Sequence, residues 1–408
     1  MEIPPIFSSQ FLLGLNYWPA RSAMYWWQHF DKDQLRIDFS RIQDTGLGMV
    51  RIFLLWEDFQ PQAKKVSIAA LDNLVEVAEQ AEQHGLKILP SLFTGHMNGL
   101  NWLPPWSLWA KERSQTYPVF ATGKIRQNLP RNFYEDLEMI EAQLFLLREV
   151  SGALQGHAAL WAWDLGHNPA HIIAPPDRQA FRIWLQSMTE ELRSRDETLP
   201  ITLGLAGDDL WAEGGLYRLY PEDMADYLDF VSIESEPTGY GFSDGPFDPF
   251  IPAFFSILTR WLSKKEVICI GLGFPTEPVL LENWDKKNQL KKSMPSEKEA
   301  ESSWRAALRR LHQAGINGAF VSAFSDYHPR LWEAPPLDER IYDRFCGIFR
   351  HDGMPKRFQP LFKEYRDLAR EPVPEEDPQW IDISPEEFHA NASDHIHRLY
   401  QKYRDYTG

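Results

Sequence analysis

The segment MVRIFLLW, residues 49–56, decides the fold. Arg51 is its only charged residue, and the other positions are apolar. Seven further segments have the same character: FLLGLNYW (11–18), KILPSLFT (87–94), LWAWDLG (160–166), PITLGLAG (200–207), FVSIESEP (230–237), VICIGLGF (267–274) and GAFVSAFSDY (318–327). Apolar runs with little alternation are typical of strands in a parallel sheet that is buried on both faces.

Helical patterns separate these runs. In LDNLVEVAEQAEQHG, residues 71–85, the apolar side chains fall on one helical face and the pattern stops at Gly85. Segments 136–152, 177–195 and 297–315 behave alike. Repeated strand and helix units predict an α/β fold, and eight of them predict a (β/α)8 TIM barrel. A doubly wound open sheet is the alternative, but no GxGxxG motif follows the first strand.

Long connections and an unusual tail accompany the predicted barrel. Segments rich in Trp, Pro and Gly lie at 96–131, 238–252 and 276–297, and long βα loops of this kind build the sites of TIM barrels. We assign residues 1–370 to the barrel and residues 371–408 to an acidic linker with a C-terminal helix. Ser384 and Glu387 are the expected capping box of that helix, which would dock on the barrel or on a partner.

Composition excludes several classes of function. The net charge of -16 makes nucleic acid and anionic membrane surfaces poor partners. No run of 18 apolar residues exists, so no membrane span is predicted. The N-terminal MEIPPIFSS lacks the basic and apolar regions of a signal peptide, and a cytoplasmic location is expected. The 2 cysteines do not make a disulfide framework.

Five segments, in order along the chain, resemble one family of barrels. They are FLLGLNYWP, MVRIFLLWEDFQP, SLFTGHMNG, WAWDLGHNP and FSDYHPRLWEAPPLDERIYDRFCGIFRHDGMPK. Over about residues 10 to 370 the sequence is similar to the clan A glycoside hydrolases, in particular to the cellulase and mannanase branch. The resemblance implies a TIM barrel that binds an oligo- or polysaccharide at its mouth.

The resemblance also implies where the two catalytic glutamates should stand, and this chain has neither. At the end of strand four, the family's general acid position holds Asn168; at the end of strand seven, the nucleophile position holds Gly271. The family's Trp on strand eight corresponds to Ser322. A retaining glycosidase needs one carboxyl group to donate a proton and another to attack the sugar. An asparagine supplies no acid and a glycine no nucleophile, so ordinary retaining hydrolysis is not expected.

Polar and aromatic side chains at the predicted strand ends are the candidate substrate-binding residues. They are Asn16, Tyr17, Trp18, Arg51, Trp56, His96, Asn98, Asp164, His167, Asn168 and Asp326. No HxH or HExxH spacing occurs, and neither a metal nor another cofactor is predicted. The aromatic loop residues Trp102, Trp106 and Trp109 are either a platform for sugar rings or an apolar lid.

Glu234 and Glu236 on strand six are candidate replacements for the missing carboxylates. Two positions apart on a strand, their side chains share one face. If that face is the barrel interior, they form a new acid/base pair or a metal site, or one of them pairs structurally with Arg51. If the strand slips by one residue, both face outward.

Three hypotheses of function follow. The first is a pseudoenzyme, glycoside hydrolase-like, that binds carbohydrate without cleaving it. The second is an active sugar-modifying enzyme with rewired carboxylates, in which Glu234 or Glu236 acts with Asp164, Glu57 or Asp326. The third is a non-catalytic scaffold that binds a protein partner or forms a homo-oligomer, and it predicts a plugged barrel mouth.

Overall fold

Eight parallel strands form the centre of the molecule. The computed structural model describes residues 7, 9–113, 117–211, 219–235, 240–245, 247–278 and 294–408. The strands are Leu12–Asn16 (β1), Met49–Leu55 (β2), Lys87–Thr94 (β3), Trp163–His167 (β4), Ile201–Ala206 (β5), Val231–Glu234 (β6), Val267–Leu272 (β7) and Gly318–Val321 (β8). They pair in chain order, and β1 pairs with both β2 and β8, which closes the barrel. Closure confirms the TIM barrel prediction and excludes the open sheet.

Helices connect the strands and form the outer layer. The longer ones are Lys32–Thr45 (α1), Ile68–Gln83 (α2), Leu137–Ala153 (α3), Arg178–Arg193 (α4), Ile251–Ser263 (α5), Glu297–Gln313 (α6), Leu361–Arg366 (α7), Pro385–Ala390 (α8) and Ala392–Thr407 (α9). Between β5 and β6 the described chain has only short 3-10 turns, at Gly207–Leu210 and Pro221–Met224. In the described residues, no helix combines the length and apolarity needed to cross a membrane.

Side-chain caps fix where these helices begin. The Asp31 carboxylate accepts a hydrogen bond from the backbone N–H of Gln34 at α1, and the Ser67 hydroxyl accepts one from Ala70 at α2. Ser296 and Glu299 form a capping box at α6. Each cap satisfies a backbone donor that the first helical turn leaves unpaired. The helices therefore start where the polar residues of the sequence predict.

The loops at the C-terminal ends of the barrel strands contain short strands and short helices. Those after β3 are His96–Met97, Leu100–Trp102, Leu108–Arg113, Val119–Ala121, Lys124–Arg126 and Asn128–Pro130. After β8, Ala323–Ser325 pairs with Gly347–Phe349. Short helices of three to seven residues lie at Ala23–His29, Trp56–Phe59, Pro105–Ser107, Pro169–Ile172, Pro329–Leu331 and Tyr342–Phe345. These loops rise above the strand ends and surround the barrel mouth.

The barrel interior is apolar at its lower end and polar above. A separate cluster of buried side chains fills the lower end; its members are Phe7, Met49, Leu89, Ala162, Phe230, Ile268, Ile270 and Phe320. Above them lie the side chains of Arg51 and Asp164, both fully buried. The packed lower end makes the barrel a solid core, so a ligand has access only from the C-terminal mouth.

The C-terminal helices pack on the outside of the barrel, against α5. The ring of Phe254 lies 5.1 Å from that of Tyr400 and 5.6 Å from that of Trp380. Ser384 and Glu387 do form the predicted capping box. The sequence predicts one helix here, but the structure has two, because Asn391, with an extended φ of -151°, separates α8 from α9. Among the two docking sites considered, the barrel itself receives this segment.

Candidate functional site

A small cleft opens at the C-terminal mouth of the barrel, with a cavity volume of about 50 Å³. Its walls are Asn16, Trp18, Phe53, Met97, Asn98, His167, Glu234, Ser322, Ala323, Tyr327, Asp343 and Cys346. Four of these side chains belong to the predicted substrate-binding set: Asn16, Trp18, Asn98 and His167. The rings of Trp18 and Phe53 stack 5.0 Å apart and form an aromatic wall. An open, partly aromatic cleft differs from the plugged mouth that the scaffold hypothesis predicts.

A buried ion pair supports the cleft from below. The Nε–H of Arg51 donates to Oδ2 of Asp164 over 2.8 Å, and both side chains are fully buried. Gly204 makes room for the guanidinium, because a Cβ at that position would lie 2.9 Å from Nη2 of Arg51. The guanidinium of Arg51 pairs with Asp164 on β4, and no ion pair joins it to Glu234 in the described residues. Arg51 and Asp164 thus act as a floor beneath the cleft.

Glu234 ends β6 and turns its side chain into the cleft. The amide Nδ2 of Asn168 donates to Oε2 of Glu234 over 2.5 Å, and Nε2 of His167 lies 3.4 Å from the same oxygen. Burial raises the pKa of the Glu234 carboxyl above its usual range, while the Asn168 hydrogen bond and the charge of Arg51 act in the opposite direction. Of the orientations considered, the inward one is correct for Glu234. Glu236 lies outside the described residues.

Gly271, near the end of β7, leaves the space that Glu234 fills. A Cβ on Gly271 would lie 2.7 Å from Cγ and 2.8 Å from Oε1 of Glu234. The backbone of Gly271 also has φ +72°, a conformation that glycine adopts without steric cost. A carboxylate from β6 therefore stands beside a strand end that carries no side chain.

Asn168 follows β4 directly and takes the left-handed conformation, with φ 48° and ψ 54°. Asparagine tolerates this region better than most residues with a side chain. Since Nδ2 donates to Glu234, the amide oxygen Oδ1 is the group left over, and it has no hydrogen-bond partner among the described residues. Asn168 thus binds the Glu234 carboxylate through Nδ2, and its buried Oδ1 is available to accept a hydrogen bond.

His167 remains neutral in this arrangement. Burial and the neighbouring charge of Arg51 hold its pKa well below the usual value. Its Nδ1 lies 3.3 Å from Nη1 of Arg51, which can donate only to an unprotonated nitrogen. The other nitrogen, Nε2, then carries the proton and faces Glu234. In this tautomer, His167 contacts Arg51 through Nδ1 and Glu234, in the cleft, through Nε2.

Asp343 was not among the predicted site residues, yet it lines the cleft. Its Oδ2 accepts a hydrogen bond of 2.6 Å from Nδ2 of Asn98, and burial raises the pKa of its carboxyl. Asp343 lies in the long segment after β8, far from any strand end. Nothing in its sequence neighbourhood distinguishes it from Asp338 or Asp352, so the sequence gives no signal for its place.

Tyr17 and Trp56 lie outside the cleft, in the layer between strands and helices. The hydroxyl of Tyr17 donates to Oδ2 of Asp38 on α1 over 3.0 Å. The indole N–H of Trp56 donates to Oε1 of Gln60 over 2.7 Å. Successive residues of a strand face opposite sides, so Asn16 points into the cleft and Tyr17 points away from it. Neither Tyr17 nor Trp56 therefore lines the cleft described above.

His96 and Asp326 also have structural partners. Nδ1 of His96 lies 2.8 Å from Oδ1 of Asn101, and burial lowers its pKa to about 3. The carboxylate of Asp326 pairs with Lys356 at 2.7 Å. Neither side chain lines the cleft described above. Asp326 and Asp164, two of the proposed partners for a rewired acid/base pair, are therefore bound in ion pairs elsewhere.

The third proposed partner, Glu57, faces a loop. Its Oε1 accepts a hydrogen bond of 2.8 Å from the backbone N–H of Thr122.

Two tryptophans of the loop after β3 also contact the protein itself. Trp102 is buried against Phe120, with ring centroids 4.4 Å apart, and the indole N–H of Trp106 donates to the backbone of Gln60. Trp102 and Trp106 form an apolar lid on the barrel rather than a platform in the cleft.

A second polar cluster lies beside the cleft. Nε2 of His171 is 3.2 Å from Asp208 and 3.5 Å from Asp209. Burial lowers the pKa of His171, but the hydrogen bonds and charges of the two carboxylates outweigh it and raise that pKa to about 10. Although the three groups are close enough to hold a metal ion, ligation requires a neutral imidazole. His171 thus pairs with a partly exposed Asp208 and a buried Asp209.

Comparison with known proteins identifies the fold. No protein-family model matches the sequence, and a search of curated proteins finds no match. Solved structures do match. A GH5_18 protein from Streptomyces cattleya in complex with GlcNAc has a TM-score of 0.74 and 17% identity, over 94% of this chain and 87% of that chain. A variant of that protein, in complex with Manβ1-4GlcNAc, has a TM-score of 0.72 and 17% identity, over 89% of this chain and 83% of that one.

A third structure extends the comparison to another named activity. The exo-β-1,4-mannosidase Op5Man5 from Opitutaceae bacterium strain TAV5 has a TM-score of 0.69 and 21% identity, over 91% of this chain and 63% of that chain. The chain therefore has the barrel fold of the clan A glycoside hydrolases, as the sequence resemblance implies. At these identities the likeness establishes the fold and no activity.

Proposed function

We propose that this protein binds an oligosaccharide in the cleft at the barrel mouth and does not cleave it by the ordinary retaining mechanism. One observation carries the proposal: the Glu234 carboxylate is held by the Asn168 amide and lies against Gly271. These are the two positions at which the resemblance places the catalytic glutamates. At these two positions the cleft has the amide of Asn168 and a glycine without a side chain, where the mechanism needs two carboxyl groups.

The chemistry of the mechanism gives the reason. Double displacement needs an acid/base and a nucleophile on carboxyl groups about 5–5.5 Å apart, on either side of the scissile bond. Asn168 supplies no acidic proton, and Gly271 supplies no nucleophile. Glu234 reaches into the space between them from β6, and a single carboxylate cannot perform both tasks at once. Binding is the function that remains for the aromatic wall of Trp18 and Phe53.

The neighbours' ligands suggest the class of oligosaccharide. The structures of the GH5_18 protein hold GlcNAc and Manβ1-4GlcNAc. We propose a β-linked oligosaccharide built from such units. Its ring would stack on Trp18, and its hydroxyls would bond to Asn16, Asn98 and Glu234.

A rewired glycosidase is the second candidate, and one observation favours it. Glu234 and Asp343 both face the cleft, and the pKa of each is raised by burial. A carboxyl group with a raised pKa is a competent proton donor near neutral pH. Under this alternative Glu234 would act with Asp343, because Asp164, Asp326 and Glu57 have partners elsewhere.

A hydrolysis screen separates the two candidates. Aryl β-mannoside, β-glucoside and β-N-acetylglucosaminide would be incubated with the wild-type protein, with Glu234→Gln and with Glu79→Gln, an exposed carboxylate on α2 that serves as the matched control. We expect no release of the aryl group by any of the three and saturable binding of Manβ1-4GlcNAc in calorimetry. Release by the wild type and the control that Glu234→Gln abolishes would overturn the proposal in favour of the rewired enzyme.

A further inference from the structure

The ionisable lining of the cleft, over the described residues, includes carboxyl groups and no lysine or arginine. Glu234 and Asp343 are the ionisable acids of its wall, and no lysine or arginine belongs to the described lining. The imidazole of His167 is neutral, because burial and Arg51 depress its pKa. Arg51, beneath the floor, already pairs with Asp164. Arg51 acts on Glu234 and Arg340 acts on Asp343 from behind the wall, but neither cation belongs to the lining that a ligand meets.

The lining also presents hydrogen-bond acceptors that have no donor. Asn16 is only 4% exposed, lines the cleft, and has an amide oxygen with no hydrogen-bond partner in the described part of the chain. The same holds for Oδ1 of Asn168, whose amide nitrogen is already committed to Glu234. Buried acceptors without donors are costly, and nearly all such groups are satisfied in functional states of proteins. Asn16 is an observation independent of the acidic pair, and it indicates a ligand that donates.

The aromatic wall adds a third property. Trp18 and Phe53 stack on one another, and Tyr327 also lines the cleft. Aromatic faces attract cations through the ring quadrupole, and tryptophan does so most strongly. Carboxylates, acceptors and aromatic faces together describe a site for a positively charged donor with an apolar ring attached.

We infer that the preferred ligand is an amino sugar with a free ammonium group, such as a glucosamine unit, in place of its neutral N-acetylated counterpart. This inference rests on the proposed carbohydrate function and specifies its substrate class. An ammonium group offers three donors and no acceptor, which matches a wall of carboxylate and amide oxygens. Glu234 and Asp343 would share its charge, and the sugar ring would lie against Trp18.

Calorimetry tests the inference with two sugars that differ only in the acetyl group. β-1,4-linked glucosamine trisaccharide and N-acetylglucosamine trisaccharide would be titrated into the wild-type protein at fixed pH and salt, together with Manβ1-4GlcNAc. We expect the glucosamine trisaccharide to bind at least tenfold more tightly than either neutral sugar. Both Glu234→Gln and Asp343→Asn should lower that ratio at least fivefold, whereas the exposed control Glu79→Gln should leave it unchanged.

Two outcomes would overturn the inference, and they are distinguishable. Neutral sugars that bind as tightly as the glucosamine trisaccharide would refute the amino-sugar preference and leave the proposed carbohydrate function standing. Absence of binding by all three sugars would refute both. Because each substitution replaces a carboxylate with an amide of the same shape, unchanged thermal unfolding of either variant suffices to interpret its loss of preference.

Discussion

Glu234 occupies the space that a side chain on Gly271 would need. A Cβ at position 271 would lie 2.7 Å from Cγ of Glu234, closer than such atoms approach in proteins. Glu234 ends β6, Gly271 is the next-to-last residue of the neighbouring β7, and Ile270 lies beside Glu234 in the register of the two strands. The position of the carboxylate in the cleft therefore depends on the absence of a side chain on the next strand.

Replacing Gly271 with alanine should destabilise the protein more than a comparable replacement elsewhere. Both Gly271 and Gly85 have positive φ, at +72° and +65°, but a Cβ at Gly85 would meet nothing within 4 Å. Backbone strain of about 1 kcal/mol is common to both variants, and overpacking against Glu234 adds about 1–3 kcal/mol to Gly271→Ala alone. Urea denaturation of both variants measures the difference, and equal losses of unfolding free energy would contradict the steric relationship.

Removing the charge of Arg51 should be strongly destabilising. Arg51→Met leaves the fully buried Asp164 without a counter-ion, which costs about 3–5 kcal/mol of unfolding free energy. Arg305→Met is the control, because Arg305 pairs with Glu364 at 2.7 Å while both side chains are about half exposed. That exposed pair should contribute at most about 1 kcal/mol. Similar losses in the two variants, measured by chemical denaturation, would show that the buried pair is not the floor of the barrel mouth.

Deprotonation of the buried Asp38 should lower the free energy of unfolding as the pH rises. Burial raises the pKa of its carboxyl from 3.8 to about 6, although hydrogen bonds from Gln34 and Tyr17 act against this. The folded chain therefore binds a proton more tightly than the unfolded chain. That stabilisation is complete below pH 3.8 and is lost as the pH rises through 6, a difference of about 3 kcal/mol.

The substitution Asp38→Asn removes this titration. The difference in unfolding free energy between variant and wild type should increase in favour of the variant between pH 4 and pH 6 and stay constant above pH 7. Asp44→Asn, at an exposed position of α1, is the control for the same change of side chain. A difference between Asp38→Asn and wild type that is independent of pH would contradict the raised pKa.

Asn168 should control the protonation of Glu234. Its amide donates to the carboxylate over 2.5 Å and stabilises the charged form, so Asn168→Ala should raise the pKa of Glu234 further. The side-chain carbonyl signal of Glu234 in a 13C-NMR titration, assigned with Glu234→Gln, measures this. Asn98→Ala is the control, because Asn98 donates to Asp343 instead. An unchanged Glu234 titration in Asn168→Ala would mean that the hydrogen bond is not formed in solution.

The fold was predictable because its signal is dense and local. Each of the eight apolar runs overlaps a barrel strand, since strands covered on both faces require apolar residues at nearly every position. The helix starts were predictable for a similar reason: Asp31, Ser67 and Ser296 are caps that act within three residues. The assignment of residues 1–370 and 371–408, and a cytoplasmic location, stay predictions.

The site was predictable only where strand ends determine it. Asn16, His167 and Glu234 reach the cleft because they end barrel strands, whereas Asn98 reaches it from the loop after β3. Tyr17 does not reach the cleft, because a one-residue difference in phase turns a side chain to the opposite face. Asp343 was missed because its place depends on the path of a long loop after β8, which no local pattern encodes.

Saturation-transfer NMR on Manβ1-4GlcNAc tests the central claim, binding without ordinary cleavage, in one sample. Transfer from the protein to the sugar protons reports binding, and the anomeric signals of free mannose and GlcNAc report hydrolysis. The account predicts saturable transfer together with an intact disaccharide after a day of incubation. Steady release of both monosaccharides by the wild-type protein would contradict it.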